Sequence, residues 1–265
     1  MERRQIIARY AANQEDQILL TRIVDRLSTA EQRNIPAATS FLTQREQQLA
    51  ASVLRVSGCA SPVFYGGPDE AERRICAFIP DYLEPQAWLT GSDSPICALQ
   101  ACFAEENKLT HRDFLGALMG AGIKRETTGD IYVQEGQCDF LVTREIAPYL
   151  LQNLVSAGHA HLRIREIPLN CVQKPEPVKT LQKSTVSALR LDSVAAACFR
   201  ISRSRACDLI ESGKLSLNFL ACTKPDAQLK QGDQIAVRGM GKCRLASVDG
   251  PTRKGRISIT IEKYT

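Results

Sequence analysis

Apolar and polar positions follow different registers in successive parts of the chain. Near the N-terminus, Ile18, Leu19, Ile23 and Leu27 fall at helical spacing and predict a shared helix face. "TQREQQLAASVLRV" predicts another helix, with Thr43 as its cap. "PVFYGG" and "RICAFIP" read as short strands, with "DEAERR" as a short helical segment between them. From residue 91 the order is more regular. "ICALQACF" is strand-like. "HRDFLGALMGAG" is a helix ending in glycine, with Phe114, Leu115 and Leu118 at helical spacing. "GDIYV" and "CDFLV" are strands around the turn "QEGQ". "REIAPYLLQNLVSAG" is helical, with Pro148 tolerated only near its first turn, and "AHLRIREI" is a closing strand. This is a βαββαβ order, the ferredoxin-like arrangement that RNA-recognition modules share with many unrelated proteins.

The last third changes character again. "ALRLDSVAAACF" places Leu191, Val194, Ala195 and Cys198 on one helix face. A second helix follows, N-capped by Ser202, with Ala206, Leu209 and Ile210 inward and Gly213 at its left-handed end. "KLSLN" alternates, burying Leu215 and Leu217 and leaving Lys214 and Ser216 on the opposite face. "GDQIAVRG" and "RISITIEK" supply further strands. The expected fold is α+β. It comprises an N-terminal α/β domain over 1–90, a ferredoxin-like, RRM-like middle domain over 91–172, and two helices packed on a small sheet over 185–265. "QKPEPVKTLQKS", 173–184, reads as the linker, because Pro175 and Pro177 favour extended backbone and no apolar stripe follows.

Composition narrows the classes. The 265 residues are 44% hydrophobic and 24% charged, ordinary for a soluble globular protein. No apolar run approaches the roughly 20 residues of a membrane span, and the start has no signal-peptide core. A cytoplasmic protein is expected, or an organelle lumen or stroma in a photosynthetic lineage. None of the 10 cysteines forms a CxxC pair, which favours small buried thiols in a reducing compartment over zinc ligation. His159 and His161 alternate and could face one way, but two ligands do not complete a metal site. No cofactor is expected. Gly66–Gly67 lacks the Lys and Ser/Thr of a phosphate loop, "GMGKC" fails the same pattern, and no complete nucleophile–base arrangement is visible.

Charge singles out the C-terminal third. The net +5 of the chain divides into −4 over 1–178 and +9 over 179–265. Such an asymmetry suggests one surface for a polyanion. Within it, "ISRSRACDLIESGKLSLN" puts Arg203 and Arg205 in the first turn of a helix, where the dipole disfavours cations. A phosphate at that spot would reverse the sign, since backbone N–H groups, dipole and guanidinium forks all attract it. Lys214, Lys224, Arg238, Lys242 and Arg244 would extend the footprint.

"RLDSVAAACFRISRSRACDLIESGKLSLN" with "GDQIAVRGMGK" resembles an S4 RNA-binding domain. The resemblance implies RNA contact at Ser202, Arg203, Arg205, Lys214 and Asn218, with Lys224, Arg238 and Lys242 as further contacts. "FYGGPDEAERRICAFIPDY" and "HRDFLGALMGAGIKRETTGDIYV" resemble the YlmH family of bacterial S4 proteins and their photosynthetic-lineage relatives. Similarity to that family implies a noncatalytic protein that engages structured rRNA or tRNA on the large ribosomal subunit, in quality control of stalled nascent chains. "KRETTGDI" within it is either an RNA loop or a packed turn. Two other classes stay open: an S4-targeted RNA-modifying enzyme such as a pseudouridine synthase, and a partner-binding scaffold in division or organelle maintenance. "RLD" at 190–192 belongs to the first helix of the basic third and is not read as a synthase motif.

Overall fold

A computed structural model describes residues 3–57, 62–175, 179–252 and 255–264. The chain forms two compact units, Met1–Pro175 and Glu176–Thr265. Helix and sheet are mixed in both, an α+β architecture. Cys59 and the linker residues 176–178, Pro177 among them, lie outside the described residues.

The first unit starts with helices α1 (Arg3–Tyr10) and α2 (Gln14–Arg33), then strand β1 (Ala37–Ala38) and helix α3 (Gln44–Ser57). Helix α2 buries Leu20, Ile23, Val24 and Leu27, whereas Ile18 is exposed. The expected face through Ile18 and Leu19 is therefore rotated. In the run Ile-Leu-Leu only Leu20 continues the stripe that meets the neighbouring helices. Asp16 anchors the same face through two hydrogen bonds from Arg45, at 2.7 and 2.6 Å. Thr43 caps α3 as expected: its Oγ accepts from Glu46 N–H and its own N–H donates to Glu46.

Strands β2 (Val63–Tyr65) and β3 (Ile75–Phe78) complete a three-stranded sheet in the order β1-β3-β2. The segment between β2 and β3 is not helical. Asp130 draws it into turns by accepting from Glu72 N–H at 2.6 Å and Arg73 N–H at 3.1 Å. Helix α4 (Pro85–Thr90) leads into β4 (Ile96–Cys102), α5 (His111–Gly120), β5 (Thr128–Gln134), β6 (Gln137–Thr143), α6 (Ala147–Asn153), the hairpin β7 (Ser156–Ala157) and β8 (Ala160–His161), and β9 (Arg163–Ile167).

The four long strands form an antiparallel sheet ordered β5-β6-β4-β9, which is the order a βαββαβ chain adopts in the ferredoxin-like arrangement. The expected single strand over "AHLRIREI" is split. Ala160 and His161 pair back with Ala157 and Ser156, and only Arg163 onward joins β4. One sheet face packs Leu99, Phe140 and Val142 against Phe114, Leu118 and Leu150 of the helices. The other packs Ile96, Ala98 and Leu141 against Phe41, Ile75, Ala77 and Leu89. Each buried side chain of this size contributes about 1.5–3 kcal/mol. The shared second core joins the N-terminal and middle segments in one unit.

The second unit comprises β10 (Lys179–Val186), α7 (Leu191–Phe199), α8 (Arg203–Glu211), β11 (Leu215–Leu217), β12 (Leu220–Ala221), β13 (Gln234–Val237), β14 (Gly241–Pro251) and β15 (Ile257–Tyr264). They form one antiparallel sheet, β10-β15-β14-β13-β11-β12, under the two helices. Much of the expected linker is thus strand β10, paired along its length with β15. It is an edge strand with five exposed positions, so its sequence lacks the apolar stripe that marks internal strands. The helix faces agree with the expectation: Leu191, Val194, Ala195, Cys198, Ala206, Leu209 and Ile210 are all buried.

Candidate nucleic-acid interface

Helix α8 begins as its sequence requires. Ser202 is extended and its Oγ accepts from Arg205 N–H at 3.1 Å. Gly213 ends it at φ +66°, while Lys214 N–H donates to Leu209 O at 3.0 Å. This left-handed exit aims the chain into β11. Leu215 is buried there and Lys214 stays exposed.

The negative partner of Arg203 is internal. Its Nε and Nη2 donate to Asp192 Oδ2 at 3.0 and 2.9 Å. Asp192, 2% exposed, lies in the first turn of α7 and also accepts from Arg190 at 3.3 and 3.0 Å. Burial raises the pKa of this carboxyl, but the bonds from Arg203, Arg190 and Ser193 N–H outweigh it and hold the group below the ordinary carboxylate value. Arg203 thus has an internal partner that its sequence does not show, a single carboxylate eleven residues earlier that it shares with Arg190, and its side chain stays half exposed. That clamp fixes the start of α8 against α7. Arg205, two residues along in the same first turn, is exposed and has no ion pair among the described residues.

Asn218 also has an internal role. It sits at φ +47°, donates to Asp233 Oδ1 at 2.9 Å and accepts from Gln234 N–H at 2.9 Å. Both amide atoms therefore shape the turn after β11. Lys224 is exposed in the loop beyond β12, outside the groove described next.

Three of the expected cations do come together. Lys214, Arg238 and Lys242 line an open groove of about 460 Å³, with Ser216, Gly239 and Gly241 between them. Pairing builds it: Ser216 faces Ala236 and Ala236 faces Lys242 across three adjacent strands. Arg238 is carried on the β13–β14 turn, where Gly239 takes φ +83°. Lys242 Nζ stands 5.0 Å from the centroid of the Tyr264 ring, which Lys179 approaches at 6.0 Å. Lys179 is balanced by Glu262 at 3.2 Å. Among the described residues no carboxylate, imidazole or thiol lines the groove. Its chemistry is that of anion binding by fixed positive charge. Sequence spacing missed the Arg190–Asp192–Arg203 clamp and the Tyr264 platform, since both depend on partners brought in by folding.

The chain is 32% identical over 85% of its length to the ribosome-associated protein quality control protein P2 of Bacillus subtilis, of which it covers 86%. The chain belongs to the YlmH family. A family model described as "Putative RNA-binding domain in YlmH" matches residues 102–171, which hold three of the middle sheet's four strands and helices α5 and α6. The solved structure of the cell division protein YlmH from Streptococcus pneumoniae aligns with a TM-score of 0.50 at 20% identity, over 60% of this chain and 94% of that one. Over that 60%, this YlmH-family chain shares its fold with a known structure.

"KRETTGDI" is a packed turn. Arg125 Nη1 donates to the carbonyls of Thr128 and Gly129, at 2.7 and 3.1 Å. Arg73 reaches in to donate to Thr128, Phe41 and Arg125 carbonyls. Burial, then the neighbouring Arg125 charge, lowers the Arg73 pKa to about 10. Among the described residues no group of three or more His, Cys, Asp or Glu side chains could hold a metal ion, and no helix is long and apolar enough to cross a membrane.

Proposed function

We propose that this chain is a noncatalytic RNA-binding protein of the bacterial cytoplasm. Its C-terminal unit acts as an S4 domain and engages structured rRNA or tRNA on the large ribosomal subunit during quality control. The observation that carries this reading is the groove in which Lys214, Arg238 and Lys242 converge with no acidic residue in its lining. Family membership and the name of the Bacillus relative support the ribosomal setting. Phosphates would enter the groove and release counterions, while the fixed curvature of the sheet selects RNA shape over sequence. Arg205 extends the footprint. Arg203, Ser202 and Asn218 act by positioning the helix start and the turn. Lys224 lies at the margin.

The test is a salt titration of RNA binding. Full-length protein carrying Lys214→Ala, Arg238→Ala and Lys242→Ala should bind purified ribosomal RNA more weakly, with a log–log salt slope shallower by about one per removed contact. Crosslinks from intact ribosomes should map to large-subunit RNA and tRNA. Wild-type slope in the folded triple variant would falsify the groove assignment. Nucleoside mass spectrometry that found a base modified with turnover would replace the reading with the enzyme alternative.

A further inference from the structure

The middle sheet has an unusual constraint for a domain matched as RNA-binding. RRM-like modules stack bases on the open face of the sheet. Here that face is covered. Phe41, Ile75, Ala77 and Leu89 lie on one end of it. At the other end a polar layer closes it: Gln100 donates to Asp139 at 2.9 Å, Arg165 donates to Gln100, and Gln173 N–H caps Asp139 at 2.9 Å. Gln100 is 7% and Asp139 0% exposed. Tyr132 is partly buried in the same layer with its hydroxyl on Asp130 at 3.0 Å. Stacking on this sheet is not available.

The cations of residues 102–171 divide accordingly. Arg125, Arg144 and Arg165 donate to carbonyls or side chains of the unit. Lys108, Arg112, Lys124 and Arg163 are exposed and have no ion pair among the described residues. Three of these four lie on segments that gather at one end of the sheet, Lys108 and Arg112 at the start of the helix that covers one face and Arg163 on the outer strand, alternating with Leu162 and Ile164. Arg163 pairs with Cys102 where β4 ends and β9 begins. The chain then passes Lys108 into the first turn of α5, which holds His111 and Arg112. The β7–β8 hairpin closes onto that turn, with a Cβ at Gly158 falling 3.5 Å from Leu109 and 3.4 Å from Asp113. His159, His161 and Arg163 alternate outward while Ala160 and Leu162 are buried. The acids nearby are Asp113, Glu105 and Glu106. The Asp113 carboxylate accepts from the Thr110 N–H and hydroxyl, both at 2.7 Å, and Glu105 lies against the β5–β6 turn at Gly136.

We propose that Lys108, His111, Arg112, His159, His161 and Arg163 form a second RNA-backbone contact, through which the middle domain binds RNA by its end and outer strand instead of its sheet face. This rests on the RNA-binding reading above. Lysine supplies a point charge, the arginines forked donors, and the imidazoles further N–H donors toward phosphate oxygens. Two weak contacts on one chain would raise each other's effective concentration.

The probe is ribosomal RNA isolated from bacterial ribosomes, bound to the full chain between about 50 and 300 mM salt. The variant Lys108→Ala, Arg112→Ala, Arg163→Ala should show a slope shallower by about 2–3 and at least about tenfold weaker binding at the low-salt end. Lys108→Arg, Arg112→Lys, Arg163→Lys should retain the slope, since charge and not shape is removed in the first variant. Wild-type affinity and slope in the folded alanine variant overturn the inference, including where a ribosomal protein crosslinks to this patch instead. A wild-type chain that does not bind RNA, or binds without salt dependence, sinks the broader functional reading and this inference with it. Loss on the groove variant but not on this one sinks the inference alone.

Discussion

Cations do opposite work in the packed turns of the first unit and in the groove of the second. In the first, Arg73, Arg125 and Arg144 turn inward and donate to backbone carbonyls of Phe41, Ser94, Ile96, Arg125, Thr128 and Gly129. They hold together turns and strand ends by satisfying carbonyls there. In the second, Lys214, Arg238 and Lys242 turn to an open groove. Residues 1–178 carry −4 and residues 179–265 carry +9, but net charge alone does not distinguish these uses. Position decides: beside the inner turns the cation is a strut for backbone carbonyls, and along the groove it faces space that an external anion can enter.

The strongest way to break this contrast is to remove a strut. Arg73→Met keeps a long apolar stem and deletes donors to three carbonyls, at 2.9, 3.1 and 3.2 Å. Stability should fall by about 1–3 kcal/mol, because the Phe41 carbonyl loses its donor, while the Thr128 and Arg125 carbonyls keep bonds from Arg125 Nη1 and Thr128 N–H. Lys214→Met should stay within about 0.5 kcal/mol, as surface changes do. Urea denaturation of both variants checks the pair. Equal midpoints would mean that the inward and outward cations are energetically alike.

The second unit has internal struts of its own, Arg256 on the Thr185 carbonyl and the Asp192 clamp, and the clamp sharpens the rule. Asp192→Asn keeps the shape and removes the charge facing Arg203 and Arg190. A loss of about 1–3 kcal/mol is expected at neutral pH. The folded pKa of Asp192 is depressed, so its contribution is fully present above the unfolded value of about 3.9 and fades as pH falls through the folded value. The gap between wild type and variant should therefore close below about pH 4. A gap that stays constant into acid would show that the carboxylate charge is not what holds α8 to α7.

These cases also show what the sequence makes legible. The α7–α8 pair is readable because its signals are local: Ser202 caps within three residues, Gly213 ends the helix, and the buried stripe repeats at helical spacing. The groove is readable in part, because Lys214 and Ser216 alternate with Leu215 on one short strand. Strand β10 is hidden in an apparent linker, since its partner β15 lies almost eighty residues on and its exposed face erases the apolar pattern. The turns over 69–74 read as helix because Asp130, which imposes them, is more than fifty residues away. Arg203 reads as unpaired for the same reason at shorter range. A residue pattern reports the backbone it sits on well, but reports the partner of a charge only when that partner is a near neighbour in sequence.

The smallest expected effect compares one glycine from each unit. At Gly116, inside α5, and at Gly239, in the turn carrying Arg238, an added Cβ would meet nothing within 4 Å. Space is equal, so backbone conformation alone sets the sign. Gly116 is helical, where alanine is better by about 0.5–1 kcal/mol. Gly239 sits at φ +83°, where an L side chain is strained by about 1 kcal/mol or more. Gly116→Ala should therefore raise the melting temperature by a few degrees and Gly239→Ala lower it by a similar amount. RNA affinity should fall only in Gly239→Ala, because that turn aims Arg238 into the groove. Gly116→Ala that stabilised the protein while weakening RNA binding would mean that RNA approaches the exposed face of α5 closely, extending the middle domain's contact beyond the end occupied by Arg112.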